Sequence, residues 1–121
     1  MKPRMVEPLS IDMSTEEGEA VLTVNGRITI DSSPVLRDRL LAILRQESLP
    51  TLTIDLSAVP YIDGSGLATL VEALKFARVA NTGLRLRLQE RPLYLFQVTG
   101  LLQLFDLSGD GTTGAVSQGD T

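Results

Sequence analysis

The segment Asp63-Gly64-Ser65-Gly66 gathers the side chains of this sequence best placed to do chemistry. A carboxylate stands two residues before a hydroxyl, and the two glycines permit tight backbone turns. Leu67, Leu70, Val71, Leu74 and Ala77 follow at helical spacing, which puts the hydroxyl at a helix N-terminus. That end of a helix carries partial positive charge and unpaired N–H groups. A phosphate on Ser65 would be tolerated there without unfolding the helix. The plainer reading is that Asp63 or Ser65 caps the helix while the glycines make the turn. Capping serines are far commoner than regulatory ones.

Other chemistries lack their residues. The 121-residue chain has no cysteine and no histidine, which removes disulfides, thiolate metal sites, the commonest zinc ligand and every Ser-His or Cys-His dyad. A nucleophile elbow of the form Gly-x-Ser-x-Gly would need glycine at Asp63 and Leu67, and Ser65 has no histidine base. There is no Gly-x-x-x-x-Gly-Lys phosphate loop. Asp55 and Asp63 are the carboxylates available to pair as acid and base or as a magnesium site. Asp55, however, falls on the polar side of a strand, where a solvated carboxylate is the common outcome. No catalytic residue, metal or cofactor is expected, and hydrolase activity is the weakest of the readings.

Charge and hydropathy narrow the partners. The net charge is −4, and two tyrosines and three phenylalanines are the whole aromatic content. Nucleic-acid binders carry a basic stripe and stacking aromatics, so direct contact with DNA or RNA is not expected. No apolar run is long enough to span a bilayer, and the first residues lack a signal-peptide core, so a cytoplasmic protein is expected.

The elements that must position the serine follow from periodicity. Residues 1–8 read as a loose lead-in, 9–107 as one folded unit, and the Gly/Thr/Ser/Asp-rich 108–121 as a disordered tail. Leu9–Met13 and Ala20–Gly26 read as an antiparallel hairpin across the polar turn Ser14–Glu19. Ser33 before Pro34 reads as an N-cap, with a helix over 34–46 on the apolar face of Leu36, Leu40, Ile43 and Leu44. Thr51–Leu56 is a strand, and a second helix begins near Ser65. Asn81-Thr82-Gly83 is its stop, with the glycine taking positive φ. Leu84–Leu88 is a strand, Pro92 to about Thr99 a third helix, and Leu104–Leu107 a last short strand.

Strand–helix–strand repeats with short links imply parallel neighbours, so the sheet is α/β and mixed. Strands buried on both faces read as continuous apolar runs, whereas 51–56 and 84–88 alternate. One sheet face must therefore be polar or only thinly covered, and most helices pack on the other. Arg85 and Arg87 lie on that polar face and could form an anion patch; solvation is their commoner fate, and they would discourage edge pairing if their strand were at an edge. The leucines of 34–46 and 67–77 are core. Glu72, Lys75 and Arg78 read as a solvated helix face, and Tyr61 and Ile62 as partly buried or partner-facing.

Tyr61-Ile-Asp-Gly-Ser-Gly-Leu67 resembles the signature of STAS domains, Asp-(Ser or small)-Ser-Gly-(Leu/Ile) after the central strand. Leu93-Tyr-Leu-Phe-Gln-Val-Thr-Gly-Leu101, with Leu104-Phe105 beyond it, resembles the family's third helix and its Thr-Gly-Leu exit. Gly26 and Ile28 stand where the family has a Gly-x-Leu-Asp loop. The resemblance spans about residues 9–107 and implies a single STAS-like domain with a mixed sheet, an N-terminal hairpin and helices mainly on one face. It is similar above all to bacterial anti-sigma-factor antagonists. In them the serine matching Ser65 is phosphorylated by a partner anti-sigma serine kinase. The unmodified form binds that kinase and frees the sigma factor; phosphorylation breaks the complex, and a PP2C-type phosphatase resets it. Asp63, Gly64, Gly66 and Leu67 would form the phosphorylation or partner-binding loop.

Two departures stand out. Gly64 replaces the serine often found before the phosphoserine. Thr29 stands where many antagonists have an acid near the phosphorylation loop, and Asp31 is the nearby substitute. The rival implied by the same resemblance is a cytoplasmic STAS subunit of a lipid-transport ABC permease, with Ser65 helping it dock. An exposed strand at the sheet edge would permit a homodimer under either reading.

Overall fold

The computed structural model describes residues 9–46, 48–100 and 106–107. The lead-in over 1–8, Leu101, Leu104, Phe105 and the tail over 108–121 lie outside the described residues. Within them the chain runs β1 (Ser10–Glu16), β2 (Glu19–Asn25), α1 (Ser33–Gln46), β3 (Thr51–Ala58), α2 (Gly64–Ala80), β4 (Gly83–Leu88), α3 (Glu90–Thr99) and β5 (Asp106–Leu107). The strands form one sheet in chain order, antiparallel between β1 and β2 and parallel from β2 through β5.

Chain order across the sheet follows from local chemistry. β1 and β2 pair from Ser10↔Asn25 to Glu16↔Glu19, which leaves only Glu17 and Gly18 in the turn. Both have positive φ, 51° and 84°, as a two-residue hairpin matched to strand twist requires. The turn is thus tighter than the Ser14–Glu19 stretch its polarity indicates. Each later pair of neighbours is joined through a helix. α2 stops at Asn81, which takes the left-handed conformation (φ 64°), and the Thr82 N–H closes the last turn on the Ala77 carbonyl at 2.8 Å. Gly83, the residue expected to end this helix, instead opens β4, its N–H bonded to the Pro50 carbonyl at 2.9 Å.

The alternation in β3 and β4 sorts the sheet into two unlike faces. In register, Leu52 meets Leu84, Ile54 meets Leu86, and Leu56 meets Leu88. These side chains share one core with Leu22 and Val24 of β2, Leu36, Leu40, Ile43 and Leu44 of α1, and Leu70, Ala73, Leu74 and Ala77 of α2. The opposite face is polar, as the alternation requires, but not simply solvated. Arg87 bonds Glu16 at 2.9 Å and Asp55 at 3.3 Å, and Arg85 lies 3.8 Å from Glu19. Val21 and Thr53 lie buried on this face. Asp55, expected to be a solvated carboxylate, also accepts from the Ser57 hydroxyl and N–H. β4 lies between β3 and β5, so its arginines do not guard an edge. Glu72, likewise expected to be solvated, pairs in two-pronged fashion with Arg37 across α1 and α2, at 2.8 and 2.7 Å.

One local device carries the fold into the site. Beyond β2 and β3, an isolated parallel bridge joins Ile28 to Ile62. The Ile28 N–H bonds the Tyr61 carbonyl, and the Asp63 N–H bonds the Ile28 carbonyl, each at 3.0 Å. The start of α2 packs directly on this bridge. A Cβ at Gly66 would lie 2.6 Å from the Cγ2 atoms of both Ile28 and Ile62, well inside contact distance. Gly64, by contrast, has open space around it. Gly66→Ala should therefore cost about 1–3 kcal/mol in urea unfolding. Gly64→Ala should change stability little, or raise it by up to about 1 kcal/mol. Equal effects of the two would show that the contact with the isoleucines does not set the position of α2.

Candidate functional site

Asp63 is the N-cap of α2, with extended backbone at φ −96° and ψ −173°. Its Oδ1 accepts from the Ser65 N–H at 2.9 Å, the Gly66 N–H at 3.1 Å and the Ser65 hydroxyl at 2.6 Å. Its Oδ2 accepts from the Ile30 N–H at 3.0 Å, thirty-three residues away in the chain. Burial acts most strongly on this carboxyl and pushes its pKa up. Bonds from the Ser65 hydroxyl and the Gly66, Ser65 and Ile30 N–H groups oppose it, and together they hold the pKa below the usual aspartate value.

Ser65 is half-buried in the second position of α2, and its Oγ also receives the Ser33 hydroxyl at 3.2 Å. Ser33 was expected to cap α1 with its side chain. It is instead the first residue of α1 and is buried, with its hydroxyl turned to Ser65. The carbonyl of Ser32 accepts from Val35 and Leu36, and the Ser32 hydroxyl bridges the Thr29 N–H and the Arg27 carbonyl. Of two adjacent serines, one ties the loop and the other is left to face the motif. The Ser32-Ser33-Pro34 doublet is the only trace of this in the sequence.

The other sequence-selected residues divide by environment. Gly64 is exposed, Gly66 is buried against the isoleucine bridge, and Leu67 is half-buried against the core. Thr29 and Asp31 lie in the loop beside the motif, where the Thr29 hydroxyl accepts the Asp31 N–H at 3.2 Å. Ile30 of this loop and Ser33 of α1 each reach a motif side chain, and the motif reading did not select either. Ile30 is 72% exposed and Tyr61 41% exposed, with Val35 also open at the start of α1. The Arg27 guanidinium sits 4.7 Å from the Tyr61 ring centre. Beside Tyr61 a shallow cavity of about 190 Å³ is lined by Pro60, Ile62, Arg91, Pro92 and Tyr94.

This arrangement changes what a phosphate on Ser65 would meet. The N–H groups of Ser65 and Gly66, which could have received it, are already bonded to a carboxylate. Added negative charge would face Asp63 rather than an empty helix end. Chemically the site presents a hydroxyl held in a charge-assisted bond, with Ile30, Val35 and Tyr61 exposed on the adjoining segments. Replacing Asp63 with alanine should cost about 0.5–2 kcal/mol near neutral pH, the usual range for a lost cap. Because the folded pKa is depressed, that difference is complete above the usual aspartate range and shrinks as pH falls through the folded value. Urea unfolding of both proteins from pH 7 down to about pH 2.5 checks this. A gap that stays constant to the acid limit would mean the charge of Asp63 is not what the N–H groups hold.

The model of the family described as "Mlab, STAS domain" matches residues 11–109. The anti-sigma-B factor antagonist of Bacillus subtilis (strain 168) is 32% identical over 107 residues, which cover 88% of this chain and 96% of that protein. Its Listeria monocytogenes counterpart is 30% identical over 101 residues, covering 82% of this chain and 88% of its own. The crystal structure of an anti-sigma factor antagonist from Mycobacterium paratuberculosis shares the fold with a TM-score of 0.76 at 25% identity, over 88% of this chain and 92% of that one. Sequence and backbone agree over nearly the whole of each relative, and the chain belongs to the STAS domain family.

Proposed function

We propose that this protein is an anti-sigma-factor antagonist, a binding protein rather than an enzyme, whose state is set at Ser65. The observation that carries the reading is the Ser65 hydroxyl, held 2.6 Å from Asp63 on a face with exposed Ile30, Val35 and Tyr61. The relatives named as anti-sigma-B factor antagonists, matched over most of their length, support it.

In this reading the unmodified face binds an anti-sigma serine kinase and thereby frees a sigma factor. The kinase transfers the γ-phosphoryl group of its ATP to Ser65 Oγ; the O–P bond forms, ADP leaves and the hydroxyl proton is released. The Ser65–Asp63 bond then loses its proton, and two anions stand where a neutral donor met a carboxylate. A partner surface fitted to the neutral hydroxyl meets repulsion and unpaired buried charge. Hydrolysis by a PP2C-type phosphatase restores the first state. Asp63 holds Ser65, Gly66 permits the packing beneath it, Gly64 faces the partner, and Leu67 anchors the helix. Thr29 and Asp31 shape the loop that presents Ile30. The proposed location is the cytoplasm; among the described residues no helix is long and apolar enough to cross a membrane.

A second reading, a subunit docked on a lipid-transport ABC permease, is favoured by the Mlab description of the matching family model. The two separate on charge. Immobilised wild type and Ser65→Ala should retain a serine kinase from native lysate, while Ser65→Asp should bind the isolated kinase at least about tenfold more weakly, equivalent to about 1.4 kcal/mol. Retention of a permease and its ATPase, indifferent to the added charge, would replace the antagonist reading with the second.

A further inference from the structure

We propose that Ser33 is a positioning residue for Ser65: its hydroxyl holds the acceptor oxygen with one lone pair open, and turns onto the phosphate once Ser65 is modified. The proposal deepens the reading of Ser65 as the modified residue and rests on it for its biological meaning. The physical claim about Ser33 stands on geometry alone.

The direction of the hydrogen bond between the two serines follows from counting protons. Ser65 has one hydroxyl proton, and Asp63 Oδ1 at 2.6 Å takes it in a charge-assisted bond. Its Oγ is then left with two lone pairs and no proton to give. The contact at 3.2 Å must have Ser33 as donor. One lone pair of Ser65 is thereby occupied from inside the fold, because Ser33 is only 5% exposed. No described group fills the remaining lone pair, and Ser65 is half-buried rather than closed off from solvent.

Ser33 is itself held in place. Its N–H bonds the Thr29 carbonyl at 2.7 Å, Pro34 follows it, and its backbone begins α1. The pair therefore joins the first residue of α1 to the second residue of α2, and the direction of the Ser65 hydroxyl is set by how the two helices pack. The neutral donor also survives modification. When Ser65 becomes an ester, its own donation to Asp63 is lost. Ser33 still has its proton, and the terminal phosphate oxygens would lie two bonds beyond the atom it already touches. A donor there stabilises the dianion against the nearby carboxylate.

The deciding experiment needs no kinase. Phosphoserine is placed at position 65 by amber-codon suppression, and its second ionisation is followed by phosphorus NMR in the Ser33, Ser33→Ala and Ser33→Thr proteins. Loss of the donor should raise that ionisation by about 0.4–1 pH unit, the size of one modest hydrogen bond. Threonine, which keeps the hydroxyl, should bring it back. Identical midpoints for the Ser33 and Ser33→Ala proteins would overturn the proposal. With a serine kinase that modifies the wild type, Ser33→Ala should lower kcat about threefold to tenfold while KM stays within about twofold. A loss confined to KM would assign Ser33 to partner binding and overturn its positioning role. Failure of the wild type to be modified by any partner kinase would remove the antagonist reading and leave the titration to decide Ser33.

Discussion

The site is organised around one carboxylate. Asp63 receives four hydrogen bonds, three from the first turn of α2 and one from Ile30 on the loop before α1. Each could be supplied by water in isolation, and each contributes only modestly. Their joint effect is geometric: the start of one helix, the loop leading to another and a surface hydroxyl are fixed relative to a single pair of oxygens. The Ile28–Ile62 bridge brings the two segments within reach, and the missing side chain at Gly66 lets them close. A change in charge at this point cannot remain private to Ser65, because Asp63 answers to Ile30 as well.

Most of the frame that delivers these groups could be read from local patterns. Leu52, Ile54 and Leu56 alternating with threonines and an aspartate implied a sheet with one apolar and one polar face, and α1 and α2 do lie on the apolar one. The Asp-Gly-Ser-Gly segment marked the start of α2 for the same reason it works there, a short acceptor and small residues where a helix must begin. The local signals misled where two residues could do one job. Asn81 ends α2 in the left-handed conformation, leaving Gly83 free to start β4. Ser32 ties the loop, leaving Ser33 free to face Ser65.

The contacts that give the site its character were not legible. Ser33 to Ser65 and Ile30 to Asp63 each span more than thirty residues, and they exist only because parallel strands place the starts of α1 and α2 at one end of the sheet. Periodicity indicates which face of an element is buried, not which neighbouring backbone groups its ends will meet. The polar face was misjudged for the same reason. Arg87 reaches Glu16, seventy-one residues away, and together they cover a surface whose alternation alone read as solvated.

The chain contains a natural comparison for the switch proposed at Asp63 and Ser65. Asp55 and Ser57 repeat the same local geometry: the carboxylate Oδ1 accepts the serine N–H at 3.0 Å and its hydroxyl at 2.6 Å. At Asp63 the corresponding distances are 2.9 and 2.6 Å. An aspartate two residues before a serine is therefore not itself a regulatory device. The difference lies at the second oxygen. Asp55 Oδ2 is paired with the Arg87 guanidinium, which would compensate further negative charge, and the serine sits at the end of a strand. Asp63 Oδ2 holds only a neutral N–H, and its serine begins a helix beside exposed Ile30 and Tyr61. The same added charge would be absorbed at the first place and left uncompensated at the second. An uncompensated charge beside an apolar contact surface disfavours association, and this is the physical sense in which, on the proposed reading, the second serine would report a modification to a partner.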